Sequence, residues 1–172
     1  MIKKTLSALL CGAMIFTAAG CSSNDAQDNN SSSAIENNES SNETSTSVKD
    51  IVASIIEKGY IIMPIDMDDT IAKDRYDLNL DDIEEYAIAE TGRSPGVGFI
   101  AMAKAKEGKL ESVKANFEKI KLEVVGRGFY PDEIEMAEKL SVETIGDVVF
   151  MGMFYEDYSE DAFNIIRESL EK

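Results

Sequence analysis

Apolar residues recur at intervals of three and four in three segments of the chain, a spacing typical of one buried helix face. The first segment covers residues 48–56, and Ser47 is its candidate N-cap. The second covers residues 110–124, with Gly126 as a candidate C-cap. The third lies near the C-terminus, and Ser159 is its candidate N-cap. The pattern therefore predicts three amphipathic helices.

Shorter apolar segments without a helical period predict strands. They cover residues 85–91, 97–104, 141–145 and 148–155. Glycine-containing turns separate the first two segments and the last two, so the pattern predicts two β-hairpins. Two short helices are also predicted, an acidic one over residues 68–76 and one that Pro131 opens.

The order of these elements favours an α+β fold. After the N-terminal helix and the short acidic helix, the main elements follow as β-β-α-β-β-α. Hairpins that alternate with helices are typical of an antiparallel sheet with helices packed against it. The sequence therefore predicts a single domain over residues 48–172, with a four-stranded antiparallel sheet, helices on one face and a preceding N-terminal helix.

The N-terminus has the pattern of a secretory signal peptide. Two lysines precede a short apolar run, and the small residues Ala-Ala-Gly stand before Cys21. The apolar run is shorter than the roughly 20 residues that a membrane span needs. The arrangement resembles a lipobox, so residues 1–20 are predicted to be a lipoprotein signal peptide. The Cys21 thiol would then carry a diacylglyceryl group.

The segment 21–47, which follows the signal peptide, consists mainly of Ser, Asn, Asp, Glu and Thr. It has too few apolar side chains to bury a core, which predicts a disordered tether. A flexible chain of this length spans roughly 30 Å. The predicted location is the extracytoplasmic face of the cell membrane, with the lipid on Cys21 as the membrane contact.

Composition restricts the chemistry. The chain has no histidine, and its two cysteines are Cys11, within the predicted signal peptide, and Cys21. Any catalysis by the domain must therefore use carboxylates, Lys, Arg, Tyr, Ser or Thr. The chain has 33 acidic and 17 basic residues and a formal net charge of −16. Such a charge repels nucleic acid, which excludes it as a predicted partner, and attracts cations or a basic partner.

An apolar run precedes the segment Asp66-Met67-Asp68-Asp69-Thr70. This pattern resembles the first motif, Asp-x-Asp-x-Thr, of haloacid-dehalogenase-type phosphatases. The resemblance implies that Asp66 attacks phosphorus and that Asp68 is a general acid/base, both near Mg²⁺. Against it, Pro64 lies within the run that would be a central strand, and the predicted hairpins do not form a parallel sheet. The plainer interpretation is that Asp66 or Asp68 caps the short acidic helix.

The same segment also partly fits an EF-hand calcium loop. Loop positions 1, 3, 5, 9 and 12 would be Asp66, Asp68, Thr70, Asp74 and Asp77. Position 6, where the loop needs glycine for a sharp turn, is Ile71, and position 12 is Asp rather than Glu. Carboxylates are nevertheless suitable ligands for calcium, so the four aspartates of this set are candidate metal ligands.

Two blocks downstream, residues 74–78 and 80–86, precede the strand over 99–106, the helix from Lys109 and the hairpin around Gly146. In order and spacing these features resemble a family of Gram-positive, clostridia-type lipoproteins, whose C-terminal domain is a domain of unknown function. The resemblance covers nearly the whole predicted domain. It implies a Gram-positive cell surface and supplies no substrate and no catalytic residues.

Together these observations favour a membrane-tethered, non-enzymatic domain that binds an envelope protein or a small ligand. No catalytic residue and no cofactor is predicted. One alternative is a Mg²⁺-dependent phosphatase that uses Asp66 and Asp68. The other is a weak calcium-binding module built on the same acidic segment.

Overall fold

The computed structural model describes residues 47–172. The predicted signal peptide, Cys21 and all of the predicted tether except Ser47 lie outside the described residues. Five helices are present in 47–172: α1 (Val48–Glu57), α2 (Asp69–Tyr76), α3 (Leu110–Arg127), α4 (Pro131–Glu138) and α5 (Glu156–Leu170). None of these helices is long and apolar enough to cross a membrane.

Five strands form one antiparallel sheet in the order β1-β2-β3-β5-β4. They are β1 (Pro64–Asp66), β2 (Ile83–Thr91), β3 (Phe99–Ala105), β4 (Glu143–Ile145) and β5 (Val148–Met153). The structure confirms the α+β class and the antiparallel sheet, but the prediction of four strands is wrong. The additional strand, β1, contains Pro64. A missing N–H disfavours a central strand but is tolerated at a sheet edge, where β1 lies.

The prediction that helices cover one face of the sheet is also wrong. Helices α1 and α5 pack on one face, and α2, α3 and α4 pack on the other. The central strand β3 shows why, because consecutive side chains of a strand point to opposite faces. Ala101 and Ala103 belong to the core with α2–α4, whereas Ile100 and Met102 belong to the core with α1 and α5. All four are buried, so each face needs its own layer of helices.

The start of the domain is held by contacts to β2. Ser47 is the N-cap of α1, as predicted, and its hydroxyl accepts the N–H of Lys49 at 3.2 Å. The Ser47 hydroxyl also donates to the carboxylate of Glu85, which accepts the N–H of Val48 at 3.1 Å. A side chain of the sheet therefore satisfies part of the exposed N-terminus of α1.

Two predicted helix ends are wrong. Helix α3 continues through Gly126 and ends before Gly128, because a glycine inside a long helix costs only about 1 kcal/mol. Helix α5 begins one turn before Ser159, and the carbonyl of Tyr155 accepts the N–H of Ser159 at 3.0 Å. Acidic residues in that added first turn favour the earlier start.

Candidate functional site

The acidic segment at the end of β1 leads directly into the N-terminus of α2. Asp66 ends β1 and is exposed, and Asp68 is the N-cap of α2. The Asp68 carboxylate accepts the backbone N–H of Ile71 at 2.9 Å, which confirms the capping interpretation for this residue. Asp69 lies in the first turn of α2, where its charge is favourable.

The candidate metal ligands do not converge. Asp74 lies within α2, and Asp77 lies just beyond its C-terminal end with a left-handed φ of 50°. Asp77 instead faces Lys119, with 3.5 Å between Oδ2 and Nζ. Because α2 occupies most of the segment that would form the calcium loop, this segment cannot wrap around an ion. Within residues 47–172, no group of three or more acidic, cysteine or histidine side chains is arranged to hold a metal.

The phosphatase hypothesis gains no support from the geometry. The strand that precedes Asp66 is a three-residue edge strand with exposed side chains, and it pairs antiparallel with β2. Every strand pair in the described part of the chain is antiparallel. The parallel sheet that the motif's family implies is therefore not the frame around Asp66.

Asp66 and Asp68 instead line a groove between α1 and the segment that enters α2. The groove has a volume of about 800 Å³. Three of its lining residues, Val52, Met67 and Ile88, are buried and provide an apolar floor. The charged residues of the rim are exposed and mostly acidic: Lys49, Glu57, Asp66, Asp68 and Asp69. The groove thus combines an apolar interior with a net negative entrance.

Tyr86 of β2 connects the sheet to the α2 side of this groove. Its hydroxyl donates a 2.5 Å hydrogen bond to the Asp69 carboxylate. Burial raises the pKa of Tyr86 above its usual range, and the bond to Asp69 raises it further. The phenol therefore stays protonated and holds the first turn of α2 against the sheet.

The backbone edge of β2 is open beside this groove. Strand β1 lies opposite residues 89–91 of β2, and Met67 adds one bond by donating to the carbonyl of Ile88 at 3.0 Å. The chain then turns into α2. Residues 83–87 of β2 have β3 on one side and, among residues 47–172, no strand on the other.

A second polar cluster joins α2, β2 and α3. The Tyr76 hydroxyl donates to Glu90 at 2.7 Å and accepts from Arg127 at 2.9 Å. Arg127 also approaches Glu90 at 3.3 Å, and Arg75 donates to the same carboxylate. Glu90 is thereby bonded to two guanidinium groups and a phenol, which indicates a structural link between the three elements. The residues are remote in sequence, so no local pattern could have revealed this cluster.

A third polar cluster gives a structural role to residues in the blocks 74–78 and 80–86, which carry the family resemblance. The buried amide of Asn116 accepts the N–H of Asn79 at 2.9 Å and donates to the carbonyl of Asp77 at 2.8 Å. Asp82 accepts from Ser112 at 2.7 Å. These bonds fasten the loop before β2 to α3, so the acidic turn has a structural role.

The fold is a five-stranded antiparallel sheet with helices on both faces, and it carries an acidic, apolar-floored groove. The sequence profile of a family described as Domain of unknown function (DUF4358) matches residues 62–154. The match covers more than half of the chain, so the chain belongs to this family. It includes all five strands, whereas α1 and α5 lie outside it. No curated protein and no solved structure matches the chain.

Proposed function

We propose that this chain is a lipid-anchored lipoprotein on the extracytoplasmic face of the membrane, and that its domain binds a ligand in the groove between α1 and α2. The anchor is supported by the lysines, short apolar run and Ala-Ala-Gly that precede Cys21. The resemblance to clostridia-type lipoproteins supports a Gram-positive cell surface. The partner would be an envelope protein or a small ligand, and the acidic charge disfavours nucleic acid.

The groove is the observation that carries the binding proposal. Its volume of about 800 Å³ lies within the roughly 300–1,000 Å³ typical of ligand sites. Such sites combine apolar walls with a few polar groups that fix orientation. Here Val52, Met67 and Ile88 supply the apolar surface, and the acidic rim supplies the polar groups.

The polar groups of the groove favour binding over turnover. Asp68 is engaged by the backbone of α2, and Asp69 accepts from the Tyr86 hydroxyl. These carboxylates already have structural partners, whereas a catalytic group must be positioned to exchange protons with a substrate. Their charge nevertheless remains at the groove entrance and can attract a cationic group.

The anchor is tested by feeding radiolabelled palmitate to a Gram-positive host that expresses the whole chain. We expect label on the protein in the membrane fraction and loss of that label in Cys21→Ser. Cys11→Ser is the matched control, because this cysteine lies within the predicted signal peptide. Label that persists in Cys21→Ser, or that is absent from the unaltered chain, would refute the anchor.

Groove binding is tested separately with Nile red, a neutral apolar dye, on the chain from residue 21 carrying Cys21→Ser. We expect dye fluorescence to rise on binding and to fall in Ala53→Trp, because Ala53 is exposed on α1 and lines the groove. Leu122→Trp is the control, since Leu122 is an exposed residue of α3 that does not line the groove. Equal dye binding by both variants would contradict the groove proposal.

A further inference from the structure

We infer that the groove binds an extended basic peptide segment, which adds as a strand to the open edge of β2. This inference rests on the proposed groove function and specifies its ligand. The occupant is a segment of a partner protein in which lysine or arginine alternates with apolar residues. Three features carry the inference: the edge of β2 at residues 83–87, beside which no strand lies among residues 47–172, the different chemistry of the two groove walls and the charge of the rim.

The backbone of β2 offers hydrogen-bonding groups to the groove. In an antiparallel ladder, alternate residues direct N–H and C=O to the same side. The N–H of Gly92 and the carbonyl of Ile88 both bond toward β1, to Met63 and Met67. Tyr86 lies two residues before Ile88, so its N–H and C=O point to the same side of β2 as those of Ile88. They lie beyond the bond from Met67 to Ile88, which is the last hydrogen bond on this side among residues 47–172.

Strand addition would satisfy these groups and continue the line of β1. Among residues 47–172, the open edge of β2 covers residues 83–87, and its register against β3 shifts between Ile83 and Glu85. The regular part, residues 85–87, is about 10 Å long at about 3.3 Å per residue and pairs with about three residues of an extended peptide. Main-chain hydrogen bonds supply affinity in this mode of recognition, and alternate side chains supply specificity.

The two walls of the groove differ, which predicts the side-chain pattern of the peptide. Helix α1 contributes Val52 and the half-buried Ile56 on one face of the sheet. The entry to α2 contributes Asp68 and Asp69 on the other face. Because side chains of an added strand alternate between these faces, apolar residues would meet α1 and basic residues would meet the aspartates.

The negative charge of the groove also indicates whether its occupant is a segment of a partner protein or a segment of this chain. Residues 22–46 precede α1 in the sequence, and they contain Asp and Glu and no Lys or Arg. If this segment occupied the groove, its carboxylates would meet Glu57, Asp66 and Asp68 at the rim. Like charges repel, so a basic partner is the favoured occupant.

The experiment uses the chain from residue 21 with Cys21→Ser and three end-blocked hexapeptides. The first alternates lysine and valine. The second alternates glutamate and valine, and the third is the basic peptide with N-methyl groups on alternate residues. Calorimetry measures Kd, and NMR measures hydrogen exchange of the Tyr86 amide. We expect the basic peptide to bind at least tenfold more tightly than the other two and to slow exchange at Tyr86.

Variants identify the site of binding. We expect Glu57→Gln with Asp66→Asn to weaken the basic peptide several-fold and to reduce the salt dependence of Kd. Asp132→Asn removes a comparable exposed charge from the first turn of α4 and should leave Kd unchanged. Asp68 and Asp69 are kept, because their carboxylates also hold the fold.

The outcomes separate the inference from the groove proposal on which it rests. Equal affinity for the basic and N-methylated peptides would overturn strand addition, and equal affinity for the basic and acidic peptides would overturn charge recognition. Dye binding that depends on Ala53, with no binding of the basic peptide, would overturn the inference and leave the groove proposal intact. Dye binding that is unchanged by Ala53→Trp would contradict both the groove proposal and the peptide inference.

Discussion

The carboxylate of Asp68 accepts a hydrogen bond from the backbone N–H of Ile71, with 2.9 Å between Oδ1 and N. This contact makes Asp68 the N-cap of α2, and Asp69 adds a negative charge to the first turn. The energetics of a helix start thus account for Asp68 of the phosphatase-like motif and for its neighbour Asp69.

Capping predicts how substitutions at Asp68 affect stability. We expect Asp68→Ala to lower the free energy of unfolding by about 1 kcal/mol, because an N–H of the first turn loses its acceptor. Asp68→Asn should stay within about 0.5 kcal/mol of the unaltered chain, since asparagine is an equally good N-cap. Urea denaturation measures both variants. Equal losses in the two would show that the charge, rather than the cap, stabilises α2.

The dispersed aspartates predict a negative result with metal ions. We expect about 10 mM Ca²⁺ or Mg²⁺ to leave the Tm unchanged, because the four candidate ligands do not converge. A site with a Kd near 0.1 mM would instead add about 2.7 kcal/mol to the stability. An increase in Tm that disappears in Asp66→Asn would restore the metal hypotheses and make a phosphatase assay the next step.

The link between Tyr76 and Glu90 predicts a loss of stability on removing one oxygen atom. The Tyr76 hydroxyl is buried and bonds both Glu90 and Arg127. We expect Tyr76→Phe to lower the free energy of unfolding by about 1–2 kcal/mol, measured by urea denaturation. The control is Tyr158→Phe, because Tyr158 is 41% exposed, and it should change stability by about 0.5 kcal/mol or less.

The same residue predicts a change of stability at alkaline pH. Burial raises the pKa of Tyr76 above its usual value of 10.0, and the bond to Glu90 adds to the shift. The unfolded chain therefore loses this proton at a lower pH than the folded chain, so stability falls as the pH rises above about 10. We expect a shallower fall in Tyr76→Phe than in the unaltered chain. Parallel curves would contradict a protonated phenol in the fold.

The hydrogen bonds of Asn116 predict how much stability is lost when the loop before β2 is no longer held to α3. Its amide bonds one backbone N–H and one backbone carbonyl of that loop, at Asn79 and Asp77. We expect Asn116→Ala to lower the free energy of unfolding by about 2–3 kcal/mol, because both groups lose a buried partner. Asn164→Ala, an exposed change on α5, should alter stability by about 0.5 kcal/mol or less. Similar values for the two would show that water replaces the amide.

Several residues with a local signal were placed correctly by sequence reasoning, whereas Gly126 and Ser159 were not. Ser47 and Asp68 are N-caps, and Gly146 lies in the turn between β4 and β5. Two of the errors have tertiary causes. Pro64 lies in a strand because that strand is at an edge, and α3 continues through Gly126 because packing of a long helix outweighs the preference of one residue.

The sequence by itself determined the α+β class and the antiparallel hairpins, because periodicity and turn residues report local structure. Only the tertiary structure placed helices on both faces of the sheet and joined Tyr76 to Glu90 and Arg127. The tertiary structure also placed the start of α2 beside α1, and the groove lies between them. These features depend on contacts between residues remote in the chain, and a local pattern carries no record of which distant surface buries an apolar face.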